Sequence, residues 1–340
     1  MRGDDRSSTR KVRVRVDGAK HGMFLTGEGP NKPVLLFVHG GPGMPEYWLT
    51  QRYPLPLHQL FTVAWWEQRG SCLSYERGIR PDEMTSERFV SDTLAVSNLL
   101  RERYGAEKIH LMAHSWGSYV GLQAVARAPE LFHTYIGIGQ ITHQIESEAL
   151  ACRYMLERYR ALGKTKMVRR LEEAPVTSTT IPLPASYDAV RDRAMHRLGV
   201  GTTRDMRSVV TGLFVPSWRF PGYTAREKMN LWRGKVFSRR SGLWNEMLAS
   251  DLTKRVTALQ LPAYFLHGRY DYTVVCELAR TYVDELVAPL KGFYTYEHSA
   301  HSPMFEEPDR TMRILQEDVL RGRNDLADTS RSRRPNEGVG

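Results

Sequence analysis

The chain has 340 residues, 41% of them hydrophobic, enough for one large buried core. It has no apolar run near the roughly 18 residues that a membrane-spanning helix needs. Its three cysteines (Cys72, Cys152 and Cys276) are too few and too scattered for a disulfide framework or a metal site, and the net charge of +10 leaves nucleic acid and acidic surfaces to be considered.

Strand-like runs fall near 11–16, 22–27, 33–38, 61–66, 109–113, 134–139, 262–267 and 292–297. Amphipathic helical runs fall near 86–104, 116–127, 277–287 and 309–320, with Phe89, Leu94, Leu99 and Leu100 recurring at helical spacing in the first. Two antiparallel strands followed by β/α alternation predict a mostly parallel, eight-stranded sheet covered on both faces. The alternation breaks between 141 and 257, where a continuous helical run from Ile141 to Leu162 is followed by Pro182, Pro184, Pro216 and Pro221. That span reads as a helical cap inserted between sheet strands, over the strand ends where open α/β sheets bind ligands. Residues 1–140 and 258–322 then form the core; residues 1–10 are expected to be flexible and 323–340 to be a disordered tail.

Four segments carry chemistry. The first, Val34-Leu35-Leu36-Phe37-Val38-His39-Gly40-Gly41-Pro42-Gly43, is a buried strand stopped by a glycine loop. Such a loop lets a backbone N–H approach a ligand with no side chain in the way, as in the HGGG-type oxyanion loops. In the second, the apolar run Ile109–Met112 leads into Ala113-His114-Ser115-Trp116-Gly117 and then a helix-like run. Strand, sharp turn with a central serine, then helix is the context of a nucleophile elbow, with Ala113 in place of the usual first glycine. The expected oxyanion donors are the backbone N–H groups of Gly41 and Trp116, with Gly40 beside the substrate. The third segment, Pro262–Asp271, is a strand and glycine turn that delivers a carboxylate. The fourth, Phe293–Pro303, is a strand and a loop with two histidines.

Ser115, Asp271 and His301 thus occur in the Ser…Asp…His order of α/β-hydrolases. His301 is preferred to His298, which sits where the strand is still finishing, and Asp271 to Asp251, which has no strand before it. His39 and His267 read as hydrogen-bonded structural residues, and His114 as pointing away from its neighbour Ser115.

Together HGGPG at 39–43, EQRGS at 67–71, HSWGS at 114–118, HGRYD at 267–271 and SAHSPMFEEP at 299–308 resemble the proline iminopeptidase branch of the α/β-hydrolase superfamily. The resemblance implies an α/β-hydrolase fold and a serine hydrolase that forms an acyl-enzyme on an amide or ester bond, with no cofactor or metal. Three departures stand out. Glu67 replaces the family's aspartate, read as a change in structural ion pairing; Ala113 opens the elbow; and no clean copy of the acidic, tryptophan-rich amine-binding segment is present. The nearest approaches are Trp232 and, in Leu243-Trp244-Asn245-Glu246, Trp244 and Glu246. Glu146 is a further candidate; Glu146 and Glu148 otherwise read as solvated charges on a helix.

Residues 141–257 hold 21 Lys and Arg against 11 Asp and Glu. The positive excess lies there and in the tails, a distribution that reads as solvated surface and, in a cap, would favour neutral or anionic substrates. The partner expected is a small molecule or short peptide, with neither nucleic acid nor membrane. The N-terminal residues carry no secretory pattern, so a cytoplasmic location is expected. An esterase, lactonase or amidase, a non-hydrolytic enzyme of the same fold (acyltransferase, lyase or cyclase) and a binding module without chemistry are the alternatives.

Overall fold

The structure is a computed structural model and describes residues 9–328. Eight strands form one sheet in the order β1-β2-β4-β3-β5-β6-β7-β8. They are β1 (Arg10–Val16), β2 (Ala19–Thr26), β3 (Val34–Val38), β4 (Thr62–Glu67), β5 (Ile109–His114), β6 (Phe132–Ile138), β7 (Ala263–Gly268) and β8 (Lys291–Tyr296). β1 and β2 are antiparallel to each other, β2 is antiparallel to β4, and the remaining pairings are parallel. All eight predicted strands are present.

The central strands are apolar on both faces, as parallel strands covered on two sides must be. Leu36, Val38, Ala64, Trp66, Leu111 and Ala113 face one core; their alternating neighbours Leu35, Phe37, Val63, Trp65 and Met112 face the other. The first core is closed by α1 (Ser86–Tyr104) and α2 (Trp116–Arg127), through Phe89, Val96, Leu100, Tyr119 and Val120.

Between β6 and β7 the chain leaves the sheet and builds α3 (Gln144–Ala161), α4 (Thr165–Glu172), α5 (Ala185–Leu198), α6 (Val215–Arg219), α7 (Ala225–Arg240), α8 (Leu243–Leu248) and α9 (Leu252–Arg255). It returns to the sheet and adds α10 (Cys276–Glu285), α11 (Pro303–Glu306) and α12 (Pro308–Glu317). The helix expected from Ile141 starts only at Gln144. The residues before it are taken by other pairings: His143 forms a bridge with Asp251, and Leu252 N–H donates to the Thr142 carbonyl (2.8 Å). The inserted helices have a small core of their own, including Ile145, Met155, Leu171, Tyr187 and Met195.

That inner core encloses an ion pair. Glu148, expected to be a solvated charge, is fully buried; it accepts from Arg191 Nε (2.7 Å), is paired with Arg191 Nη2, and accepts from the Tyr187 hydroxyl (3.2 Å). Glu67 also departs from expectation. Among the described residues no cation pairs with it; it accepts from the Leu73 N–H (2.6 Å) and the Tyr223 hydroxyl, and burial pushes its carboxyl up to about 7. At the chain's end, residues 323–328 are placed, not loose: Asp328 N–H donates to the Phe293 carbonyl (2.8 Å), and its carboxylate accepts from Thr295. Arg10 likewise opens β1; residues 1–8 and 329–340, the rest of the expected loose ends, lie outside the described residues.

Two substitutions test this packing. Gly117 is pressed against β3, and a Cβ there would run into the Val38 and His39 carbonyl oxygens. Gly117→Ala is expected to cost about 1–3 kcal/mol in chemical denaturation, because backbone has to move. Glu148→Ala leaves the buried Arg191 with only the exposed Asp192 carboxylate (2.9 Å) as an ionic partner and is expected to cost about 3 kcal/mol by the same measurement; an unchanged denaturation midpoint would contradict the burial of the pair.

Candidate active site

β5 ends at His114, and the chain turns at Ser115 straight into α2. Ser115 has φ 54° and ψ −123°, a backbone conformation that residues with a side chain rarely adopt. Neighbouring bonds hold it there. Ser115 N–H donates to the Ile138 carbonyl (2.9 Å), and Ser118 N–H donates back to the Ser115 carbonyl (2.7 Å). The alanine that opens the elbow is accommodated from α2, because a Cβ on Gly121 would stand only 2.8 Å from the Ala113 methyl.

The carboxylate comes from the turn after β7. Asp271 Oδ1 accepts the backbone N–H groups of Thr273 and Val274 (both 2.9 Å). Oδ2 lies 2.8 Å from His301 Nδ1 and 3.3 Å from His267 Nε2. Burial opposes ionisation of Asp271, but the two imidazoles outweigh it and hold the carboxyl well below its ordinary range. His301 is also lowered from its usual value, but with burial as the prevailing cause. Burial lowers its pKa, and the attraction of Asp271 only partly offsets that. Near neutral pH His301 is therefore uncharged, with Nδ1–H donated to Asp271 and Nε2 left as an acceptor. His298, passed over in the sequence, lies on the exposed turn after β8.

Ser115 and His301 line one cavity of about 340 Å³. Gly40, Gly41 and His114 border it from the sheet side, and Arg191, Lys235 and Trp244 from the inserted helices. Gly40 N–H is committed to Glu46 Oε1 (2.8 Å). The next amide, Gly41, sits at φ +122°, which suits glycine. Trp116 opens α2, where helix N–H groups have no intrahelical partner.

Of the substrate contacts expected from sequence, Gly40 and Trp244 border the cavity; Glu146, Trp232 and Glu246 do not. Glu246 is turned to the start of α1, where it accepts from the Ser86 N–H (3.0 Å) and hydroxyl, a favourable place for a carboxylate. Trp232 packs on Phe214 (ring centroids 4.9 Å apart) and donates its indole N–H to Ser217 (3.2 Å). Glu146 is half-buried on α3, two residues from Gln144, which does reach the cavity; two residues turn a helix about 200°, to the opposite side.

Among the polar residues at the cavity that the sequence reading missed or misread are Glu46, His114 and Arg191. Glu46 follows the glycine loop within Met44-Pro45-Glu46-Tyr47-Trp48-Leu49, and a lone carboxylate in so apolar a run is the one signal that could have marked it as buried. Among the described residues no group of three or more His, Cys, Asp or Glu side chains is placed to hold a metal ion, and no helix is long and apolar enough to cross a membrane.

The fold has known relatives. Residues 33–308 match the family described as alpha/beta hydrolase fold. The chain is 31% identical over 300 residues to a Bacillus subtilis (strain 168) protein named probable aminopeptidase YbaC, covering 87% of this chain and 91% of that one. The crystal structure of a proline iminopeptidase from Mycobacterium smegmatis superposes with a TM-score of 0.63 at 17% identity, covering 92% of this chain and 98% of the other. That of a proline iminopeptidase-related protein from Thermus thermophilus gives 0.59 at 23% identity, with the same coverage. With an eight-stranded sheet in this order and a matching family over most of its length, the chain belongs to the alpha/beta hydrolase family and resembles the proline iminopeptidases within it.

Proposed function

We propose that this protein is a serine hydrolase that cleaves an amide or ester bond of a small molecule or short peptide through an acyl-enzyme. The observation that carries the reading is the Asp271–His301 hydrogen bond at the edge of the cavity that Ser115 also lines. His301 Nε2 takes the Ser115 hydroxyl proton as Oγ attacks the acyl carbon, and Asp271 holds the imidazole in the required tautomer and stabilises the imidazolium. The Gly41 and Trp116 amides receive the developing oxyanion, and His301 then protonates the leaving group. Water, activated in turn by His301, releases the acyl group. The inserted helices act as a cap that sets the size of the acceptable substrate.

An N-terminal aminopeptidase is the reading favoured by the 31% identical relative and by the resemblance to proline iminopeptidases. A second reading, an esterase, lactonase or amidase without an amine requirement, is favoured by the cavity itself. The acids expected to hold an amine, Glu146 and Glu246, do not border it. The charges on its inserted side are largely paired among themselves, Asp188 with Arg239 and Asp192 with Arg191. Turnover of prolyl-β-naphthylamide, its N-acylated form and short p-nitrophenyl esters separates the two: the aminopeptidase reading requires the free amine and fails if acylation leaves the rate unchanged.

Ser115→Ala is expected to lower kcat by about 10⁶-fold while leaving the circular dichroism spectrum and melting temperature close to those of the parent. It should also abolish labelling by a fluorophosphonate probe; full activity in this variant would overturn the assignment. The lowered pKa of His301 has a sign that can be read from kinetics. The base works only when neutral, so the acid limb of kcat/KM is expected below the ordinary imidazole value of about 6.5, with activity lost as pH falls through it.

A further inference from the structure

We propose that Glu46 and His114 form a buried charged pair that positions the active site, by tying the oxyanion loop, the elbow and the loop of the base to one another. The proposal rests on the serine-hydrolase reading, because that reading makes these three segments the working parts. The role falls to two residues that neither touch the bond to be cleaved nor belong to the Ser115, Asp271, His301 set.

The bonding pattern fixes the protons. His114 Nε2 lies 2.8 Å from the His301 backbone carbonyl, which can only accept, so Nε2 carries a hydrogen. His114 Nδ1 lies 2.9 Å from Glu46 Oε1, which also accepts the Gly40 N–H at 2.8 Å. A second proton must therefore lie between Nδ1 and the carboxylate. The pair is an imidazolium against a carboxylate, with both residues buried (4% and 6% exposed). Burial opposes the charge on each. The mutual attraction prevails, raising the His114 pKa above its ordinary value and holding that of Glu46 below.

Each bond of the pair ends on a different piece of the site. The Gly40 amide fixed by Glu46 precedes Gly41, the expected oxyanion donor. His114 is the residue before Ser115. The carbonyl that His114 holds belongs to His301 itself. Charge-assisted bonds of this kind are about twice as strong as neutral ones, so the loops are fastened where small displacements matter.

The pair also has an electrostatic effect. The His114 and His301 rings are 4.9 Å apart, and a fixed cation at that distance opposes protonation of the base. The other ionisable groups around the two rings are Asp271, His267, Glu306 and His39. Asp271 is ionised and attracts a proton to His301, with His267 on its other side. Glu306 accepts the Ala300 N–H (2.8 Å), and burial pushes it up to about 7. Burial holds His39 down at about 4, so it adds no positive charge near neutral pH. His114 thus adds to burial in holding the base's pKa down.

Glu46→Gln tests the idea with little change of shape. Both bonds fall on Oε1, and Oε2 has no hydrogen-bond partner among the described residues, so an amide nitrogen fits in its place. The variant, and His114→Gln beside it, is expected to move the acid limb of kcat/KM upward by about 1 pH unit and to lower kcat more than it raises KM. A purely structural role would scale the whole profile without moving the limb, and an unmoved limb in a folded variant overturns the proposal. NMR of the wild-type enzyme with isotope-labelled histidine gives an answer that needs neither variant folding nor turnover. The His114 ring should show two protonated nitrogens at pH 7, above the ordinary imidazole value of about 6.5; a neutral ring at pH 7 overturns the pair. If the NMR signature holds but Ser115 does not react with a fluorophosphonate, the hydrolase reading fails and the charged pair stands.

Discussion

The backbone of Ser115 is the constraint on which the site depends. A left-handed residue between a strand and a helix is costly, and it persists only because its surroundings leave no alternative. Below it, β3 and α2 approach so closely that only glycine fits at 117; beside it, β6 supplies the Ile138 carbonyl. The same geometry that strains the residue sets it on the cavity wall at the start of α2. Strain at one residue and order in the surrounding strands are therefore a single arrangement.

Around this point the chain solves an electrostatic problem in two layers. Asp271 is buried yet charged, which is tolerable because two amides and two imidazoles share its oxygens. Glu46 and His114 repeat the solution on the other side of His301 with a carboxylate and an imidazole of their own. On the proposed reading, His301 as the base stands between an anion that orients it and a cation that discourages it from keeping a proton. Such pairing of groups with opposed environments is how one site serves acid and base steps at one pH.

The sheet was legible because its evidence is local. Runs such as Val34–Val38 and Ile109–Met112 are apolar without interruption, and glycine loops mark where they stop. Asp271 and His301 could be placed by the same rule, since each follows a strand. What failed is what depends on partners distant in the chain. Whether Glu148 is solvated or buried is decided by Tyr187 and Arg191, some 40 residues away, and nothing in its own helix reports it. Glu246 and Trp232 matched a composition, but helix phase turned them to other neighbours. The rule that adjacent side chains diverge holds for His114, but in diverging from Ser115 it reaches Glu46 and the back of His301.

The inserted helices begin and end beside one another. β6 and β7 are neighbours in the sheet, and at the point of departure His143 is bridged to Asp251 on the way back. More than a hundred residues thus hang from a closed neck and place no demand on the register of the strands beneath. A lineage could lengthen, shorten or recolour this appendage, and so recruit new substrates, without rebuilding the machinery that breaks the bond.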